Sequence, residues 1–319
     1  MSKIKIGVAR GGPSSEYDIS LKTGANVLKF LPEKYEGVDI LIDKQGAWHF
    51  DGRERPLANI LSRVDLIFNA LHGEFGEDGK FQQILEYHKM PFTGSGSYAS
   101  AVIMNKFLTK KMLENVGIKI PRGFLIRKDD DVEDAVLKIF KNFSPPWVLK
   151  PTNKGSSVGV EIVNNFNDLK KNIDWIFLRD DKILFEEYIK GREATCGVLE
   201  NFRGEKYYAL PPIEIVPPEK NIFFDYEAKY NGETKEICPA NFDLKTKREI
   251  ENLARRAHMI LGCKAYSRSD FIVSSRGIFF LETNTLPGLT SESLLPKSAA
   301  VAGLNMSGLI DHLIQTALV

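Results

Sequence analysis

Apolar residues fall at strand-like and helix-like spacings in alternation through the first third of the chain. Ile4 to Ala9 reads as a short strand, and the turn residues Gly11-Gly12-Pro13-Ser14-Ser15 follow at once. Apolar positions resume at Ile19 and continue through Leu21, Val27 and Leu28, which predicts a helix with Ser14 or Ser15 as its N-cap. Val38 to Ile42 and Asp65 to Leu71 read as further strands, and Asp78 to His88 as a helix. Strands alternating with helices predict a Rossmann-like parallel α/β layer over residues 1–96.

The middle third predicts a compact α+β unit over residues 97–186. Tyr98 to Val116 reads as one long helix closed by Gly117. A strand (Gly123 to Arg127), a helix (Val132 to Phe143) and a strand (Trp147 to Lys150) follow. After a glycine-serine loop come a strand (Val158 to Val163), a helix (Asp168 to Leu178) and a strand (Ile183 to Ile189). Residues 187–319 open with strands at Thr195 to Leu199 and Tyr207 to Ile215. The polar and aromatic stretch Pro217 to Asn241 that comes next is too long for a simple connector and has the character of a lid or a disordered segment. A helix from Thr246 to Leu261 places Ile250, Leu253, Ala254, Ala257, Ile260 and Leu261 on one face.

Tyr266 to Gly288 carries the most chemistry. Two strands flank a turn containing Arg276-Gly277, with Arg268 and Asp270 on one face of the first strand and Glu282 and Asn284 on one face of the second. A three-residue loop, Ser275-Arg276-Gly277, brings the two sets together and sets Asp270 opposite Glu282 and Arg268 opposite Asn284; a two-residue loop would turn the carboxylates to opposite faces. Two carboxylates and an amide oxygen so placed are hard ligands for magnesium, and without a cation the carboxylates repel.

Lys150 to Val160 forms a glycine-serine loop between strands, able to fold backbone amides over phosphates but unlike the P-loop pattern. Lys150 supplies positive charge there, and Lys106 in the long helix could supply more. The strand Phe185-Glu186-Glu187-Tyr188-Ile189 offers backbone groups to an adenine edge, and Glu193 beyond it a carboxylate for ribose hydroxyls.

Composition narrows the field. The chain has 319 residues, 43% hydrophobic and 27% charged, ordinary for a globular protein with a sizeable core. Its 43 basic and 42 acidic side chains give a net charge of +1, so neither nucleic acid nor an anionic membrane is the expected main partner. No stretch approaches the roughly 20 apolar residues of a membrane span, and the cytoplasm is the expected compartment. Cys196, Cys238 and Cys263 are odd in number and widely spaced, which argues for buried thiols in a reducing compartment.

Together these segments resemble the ATP-grasp fold and, within it, the D-alanine–D-alanine ligases. The resemblance rests on the order and spacing of several pieces: Gly11-Gly12-Pro13-Ser14-Ser15-Glu16, Leu71-His72-Gly73 with Gly76-Glu77-Asp78-Gly79, Met104-Asn105-Lys106, and Lys150-Pro151 with Gly155-Ser156-Ser157-Val158-Gly159. It continues through Phe224 to Tyr230, Arg268-Ser269-Asp270, and Glu282-Thr283-Asn284-Thr285-Leu286-Pro287-Gly288. Tyr17-Asp18 and Leu286 depart from the commonest choices of that family.

The resemblance implies that ATP phosphorylates the carboxylate of one D-alanine and that the amine of a second D-alanine attacks the acyl phosphate. It assigns Glu16 to the ammonium of the first D-alanine and places His72 near the same pocket. Lys106, Lys150 and Lys229 go to the ATP phosphates; Glu186, Glu187 and Ile189 to the adenine hinge; Glu193 to the ribose. Asp270, Glu282 and Asn284 are assigned to two Mg2+ ions, with Mn2+ a possible substitute. Arg268 and the Gly288 N–H form an oxyanion hole, and Ser293 and the Leu294 N–H receive the second carboxylate. Tyr230 bonds Ser156 and, through it, Glu16 across the closed lid. The intact Glu227-Ala228-Lys229-Tyr230 favours D-alanine over D-lactate or D-serine in the second subsite. A homodimer through the first domain is also implied. A dinucleotide oxidoreductase is disfavoured by the absence of Gly-x-Gly-x-x-Gly, and a silent nucleotide-binding regulator by the filled metal and oxyanion positions.

Overall fold

The computed structural model of the chain describes residues 3–153, 155, 159–217 and 234–319. Three sheets organise them. The first has strand order β4-β3-β2-β1-β5, built from β1 (Ile4–Gly11), β2 (Tyr35–Ile42), β3 (Trp48–Phe50), β4 (Arg53–Glu54) and β5 (Leu66–Asn69). β1 lies parallel to both β2 and β5, so its apolar run is enclosed: Ile6, Val8 and Ala9 are fully buried. β3 and β4 add an antiparallel edge that the sequence pattern did not reveal.

β1 ends in Gly11 and Gly12, at φ +92° and +93°, and a Cβ on Gly11 would lie 2.2 Å from the Ile42 carbonyl oxygen. Helix α1 (Tyr17–Phe30) follows, but neither Ser14 nor Ser15 is its N-cap; that position belongs to Glu16, which makes no side-chain capping bond. Ser14 Oγ instead accepts from the Glu16 N–H (2.9 Å), closing a local turn that competes with capping. Ser20 accepts from Gly11 N and donates to the Ala70 carbonyl, both at 2.8 Å, tying the ends of β1 and β5 together. The short helices α2 (Leu57–Leu61) and α3 (Lys80–Tyr87) complete this layer.

The helix expected over 98–116 is two helices, α4 (Ser97–Met104) and α5 (Lys106–Glu114). Asn105 breaks them at ψ 98°, and its side chain accepts from Leu108 N, so it caps a new helix. Lys106 N then donates to the Thr152 carbonyl (2.9 Å), joining the start of α5 to the end of the neighbouring strand.

The second sheet is antiparallel, in order β6-β9-β7-β8: β6 (Gly123–Arg127), β7 (Trp147–Pro151), β8 (Glu161–Val163) and β9 (Lys182–Glu187). Helices α6 (Val132–Asn142) and α7 (Phe166–Phe177) cover it, with Ile139, Leu169 and Ile173 in its core.

The third sheet runs β13-β12-β10-β14-β15, with β11 also on β10. Its strands are β10 (Arg192–Phe202), β11 (Glu205–Ala209), β12 (Ile213–Val216), β13 (Lys235–Ile237), β14 (Tyr266–Ser274) and β15 (Gly277–Asn284). The expected single strand over 207–215 is therefore β11 and β12, paired to different stretches of β10; Pro211 and Pro212 between them have no N–H to continue a ladder. Helix α8 (Leu244–Ile260) buries Ile250, Leu253, Ala254 and Ala257 against this sheet, beside Ile103 and Leu113 of α4 and α5.

Two final helices, α9 (Leu294–Val301) and α10 (Met306–Leu318), return the chain to its beginning. Leu309, Ile310, Leu313 and Ile314 are buried in one cluster with Ile6, Val8, Leu66 and Phe68.

All three thiols are free; Cys196 and Cys263 are buried and Cys238 half-buried. Burial pushes Cys263 up to about 12, and raises Cys196 and Cys238 as well. Thiol titration with a charged disulfide reagent at neutral pH should leave Cys196 and Cys263 unmodified in the native chain and detect all three thiols after denaturation. Rapid labelling of either buried thiol in the native chain would contradict this packing.

Candidate active site

The β14–β15 hairpin sets the geometry. Its turn is a two-residue loop, Ser275-Arg276, closed by Ser274 opposite Gly277, and not the expected three-residue loop. From Val273–Ile278 to Phe271–Phe280 this register would send Asp270 and Glu282 to opposite faces. A bulge corrects it: the register shifts between Asp270 and Phe271, where β15 holds Leu281 as an extra residue. Beyond the bulge Asp270 faces Glu282 and Arg268 faces Asn284, the pairing expected from the sequence but reached by another route.

Each carboxylate is met by positive charge. Arg268 donates to both oxygens of Asp270, Nε to Oδ1 at 3.0 Å and Nη2 to Oδ2 at 3.1 Å. Burial pulls the Arg268 guanidinium down, but Asp270 outweighs it and holds the group above its ordinary value. Thr195 Oγ1, on the neighbouring strand β10, also donates to Asp270 Oδ1 (2.5 Å). Lys106 Nζ donates to Glu282 Oε2 at 2.6 Å. The Asn284 amide oxygen accepts from Leu286 N (2.8 Å), which fixes that side chain at the strand end. Two carboxylates and an amide oxygen on one face form a donor set suited to a hard divalent cation.

Beside these groups lies a cleft of about 220 Å³ between the second and third sheets. Lys106, Lys150, Glu186, Ile189, Glu193 and Glu282 all line it. Glu186 points into a lysine pair, accepting from Lys150 Nζ at 2.5 Å and from Lys110 Nζ. Burial raises the Glu186 carboxyl, but Lys110 and Lys150 together bring it below its ordinary value. Glu187 lines the cleft as well, but its carboxylate is bound by arginines. It accepts from the Arg122 N–H (3.1 Å), from the Arg122 guanidinium (3.3 and 3.2 Å) and from Arg276 Nη1 (3.1 Å). β9 is thereby tied to the hairpin tip, and the arginines outweigh burial and keep the Glu187 carboxyl low.

The remaining candidates occupy two neighbouring corners. Glu16 and His72 are both buried and, with Glu77, bring potential ligand atoms within 4.8 Å of one another. His72 Nε2 lies 2.8 Å from Thr23 Oγ1, and Nδ1 3.5 Å from Glu77. A Cβ on Gly155 would lie 3.6 Å from Glu16 Oε1, so Gly155 comes within van der Waals reach of this corner. On the other side, Arg268, Thr195 and Leu294 border one small space. Ser293 is the N-cap residue of α9, and its Oγ accepts from Thr290 N (3.0 Å). Gly288 passes so close that a Cβ there would lie 2.8 Å from Ser293 Oγ. Leu294 opens α9, where amide N–H groups have no carbonyl one turn back. Ser156, Lys229 and Tyr230 lie outside the described residues.

Sequence reading overlooked Lys110, Thr195, Arg122 and Arg276. Lys110 did leave a signal. Lys106, Thr109, Lys110 and Leu113 are the buried positions of α5, so two lysines stand where helical periodicity asks for core residues.

The D-ala D-ala ligase C-terminus family matches residues 112–315, and the D-ala D-ala ligase N-terminus family matches residues 53–95. A D-alanine–D-alanine ligase of Syntrophobacter fumaroxidans is 40% identical over 99% of this chain and 98% of its own. Among solved structures, D-alanine–D-alanine ligase from Bacillus anthracis complexed with ATP is 34% identical, with a TM-score of 0.83 over 100% of this chain and 98% of that one. The VanG D-Ala:D-Ser ligase from Enterococcus faecalis is 30% identical, with a TM-score of 0.86 over 99% of this chain and 100% of that one. With both family profiles matched in order and full-length relatives at this identity, the chain belongs to the D-alanine–D-alanine ligase family.

Proposed function

We propose that this protein joins two D-alanine molecules at the expense of ATP, giving D-alanyl-D-alanine, ADP and phosphate, for the peptide of the bacterial cell wall. The observation that carries this reading is the opposed pair Asp270 and Glu282 beside a cleft lined by Lys106 and Lys150. In the first step an oxygen of the first D-alanine's carboxylate takes the γ-phosphoryl group, and ADP leaves. In the second the amine of the other D-alanine attacks the acyl carbon. A C–N bond forms, the C–O bond to phosphate breaks, and the amine gives up a proton.

The residues divide this work. Lys106 and Lys150, with Lys229, offset phosphate charge. Asp270, Glu282 and Asn284 would hold two magnesium ions, which when bound neutralise phosphate oxygens. The backbone from Glu186 to Ile189 borders the adenine, and Glu193 the ribose. Glu16, with His72 nearby, receives the first ammonium. Arg268 borders one small space with Leu294, and its role by resemblance is to stabilise, with the Gly288 N–H, the oxyanion of the tetrahedral intermediate. Ser293 and the Leu294 N–H suit the second carboxylate, at the start of a helix where anions are favoured. By resemblance, Ser156 and Tyr230 have the task of keeping water from the acyl phosphate.

We place the enzyme in the cytoplasm, the compartment the resemblance implies; no helix among the described residues is long and apolar enough to cross a membrane. The resemblance also carries a homodimer through the first domain.

Two measurements test the reading. Phosphate release from ATP should depend on D-alanine, with D-alanyl-D-alanine identified by mass. With D-serine or D-lactate offered alongside, the D-alanine dipeptide should dominate. A mixed product in excess would move the second-subsite assignment, and ATP binding with no turnover would favour a silent binder. Separately, Glu282→Gln should lower kcat by about 100-fold or more and raise the magnesium concentration needed for half-activity. A variant with near-normal kcat and magnesium dependence would remove Glu282 from the metal set.

A further inference from the structure

Five charged side chains meet where α5 crosses the cleft: Lys106, Lys110, Lys150, Glu186 and Glu282. Lys106 faces Glu282, while Lys110 and Lys150 share Glu186. The two sharing lysines differ in situation. Lys150 stands at the end of β7, lines the cleft and is followed by the glycine-serine loop. Lys110 is absent from the cleft lining, 3% exposed, and reaches Glu186 from the back of the site, one helical turn beyond Lys106. Glu186 is 1% exposed, so its charge needs a partner at all times.

That asymmetry matters when nucleotide enters. A lysine held at 2.5 Å by a buried carboxylate is unavailable to a phosphate, and moving it would strand the carboxylate. A second lysine behind the carboxylate removes that obstacle.

We propose that Lys110 is a positioning residue for nucleotide binding: it keeps the charge of Glu186 compensated so that Lys150 can exchange that carboxylate for the phosphates of ATP. Burial pulls Lys110 down and the nearby charge of Lys150 pulls in the same direction, while Glu186 pulls it back up. As Lys150 turns to phosphate its repulsion of Lys110 weakens, and the remaining ion pair tightens. Lys110 therefore touches neither nucleotide nor reacting atoms and acts through Glu186 alone. The inference rests on the ATP reading above.

The test is the ratio of ATP to adenosine affinity, measured by titration calorimetry without D-alanine, so that phosphate-dependent binding is separated from adenine binding. Lys110→Met should lower that ratio about tenfold or more, the scale of one charge-assisted contact, with adenosine affinity nearly retained. In Lys110→Met/Glu186→Gln the ratio should recover, because Lys150 no longer has a carboxylate holding it. An unchanged ratio in Lys110→Met, or equal loss of ATP and adenosine binding, would overturn the proposal. Should Lys110→Met fail to fold, Glu186→Gln is compared with the double variant: equal ratios support the proposal, and a further drop on adding Lys110→Met overturns it. A wild-type chain that binds no ATP would overturn the nucleotide reading itself and this inference with it, an outcome visible before any variant is made.

Discussion

Like charges placed face to face across a β-ladder repel, and this structure is organised around making one such pair tolerable. Asp270 and Glu282 are directly opposed on the third sheet, where their charges add in one place. Arg268 closes on Asp270 from two residues away in the same strand, Thr195 donates to it from the neighbouring strand, and Lys106 reaches Glu282 from a helix on the other wall. The same logic extends one layer out, where Lys150 and Lys110 meet Glu186. A lattice of alternating charge lines the cleft before any nucleotide is present. It is a preorganised electrostatic environment whose cations can be redirected when stronger anions arrive.

Support for that lattice comes from backbone details. The bulge at Leu281 brings Glu282 back to the face of Asp270 after a turn too short to do so. Asn105 ends one helix and caps the next, so that Lys106 begins α5 with its backbone bonded to the strand that ends beyond Lys150. Glu187, held by Arg122 and Arg276, locks β9 to the hairpin tip and keeps the two walls of the cleft in fixed relation. Each device aims a side chain whose chemistry alone would not decide where it points.

Much of this was legible in the sequence because it rests on periodicity. The strand, glycine turn and helix at the N-terminus, the elements from Gly123 to Glu187 and the amphipathic face of α8 follow from spacing of apolar residues, and the structure reproduces them to within a few residues. The opposed pairs Asp270–Glu282 and Arg268–Asn284 were legible too, but for the wrong reason. A bulge leaves no compositional mark when its extra residue is an ordinary leucine. The break at Asn105 was missed because asparagine also sits inside helices, and only the tertiary bond from Lys106 N to Thr152 selects the cap. Lys110 lies 76 residues from Glu186, and Arg122 and Arg276 lie 65 and 89 residues from Glu187, beyond the reach of local patterns.

The last helix has a different bearing on how this protein comes into being. α10 completes the apolar cluster of the first sheet, with Leu309, Ile310, Leu313 and Ile314 packed with residues of strands made long before it, Ile6, Val8, Leu66 and Phe68. The first α/β layer thus keeps part of its apolar underside open to other chains until α10 has been made. Synthesis that halts before α10 would yield not a shortened enzyme but one whose first α/β layer never closes.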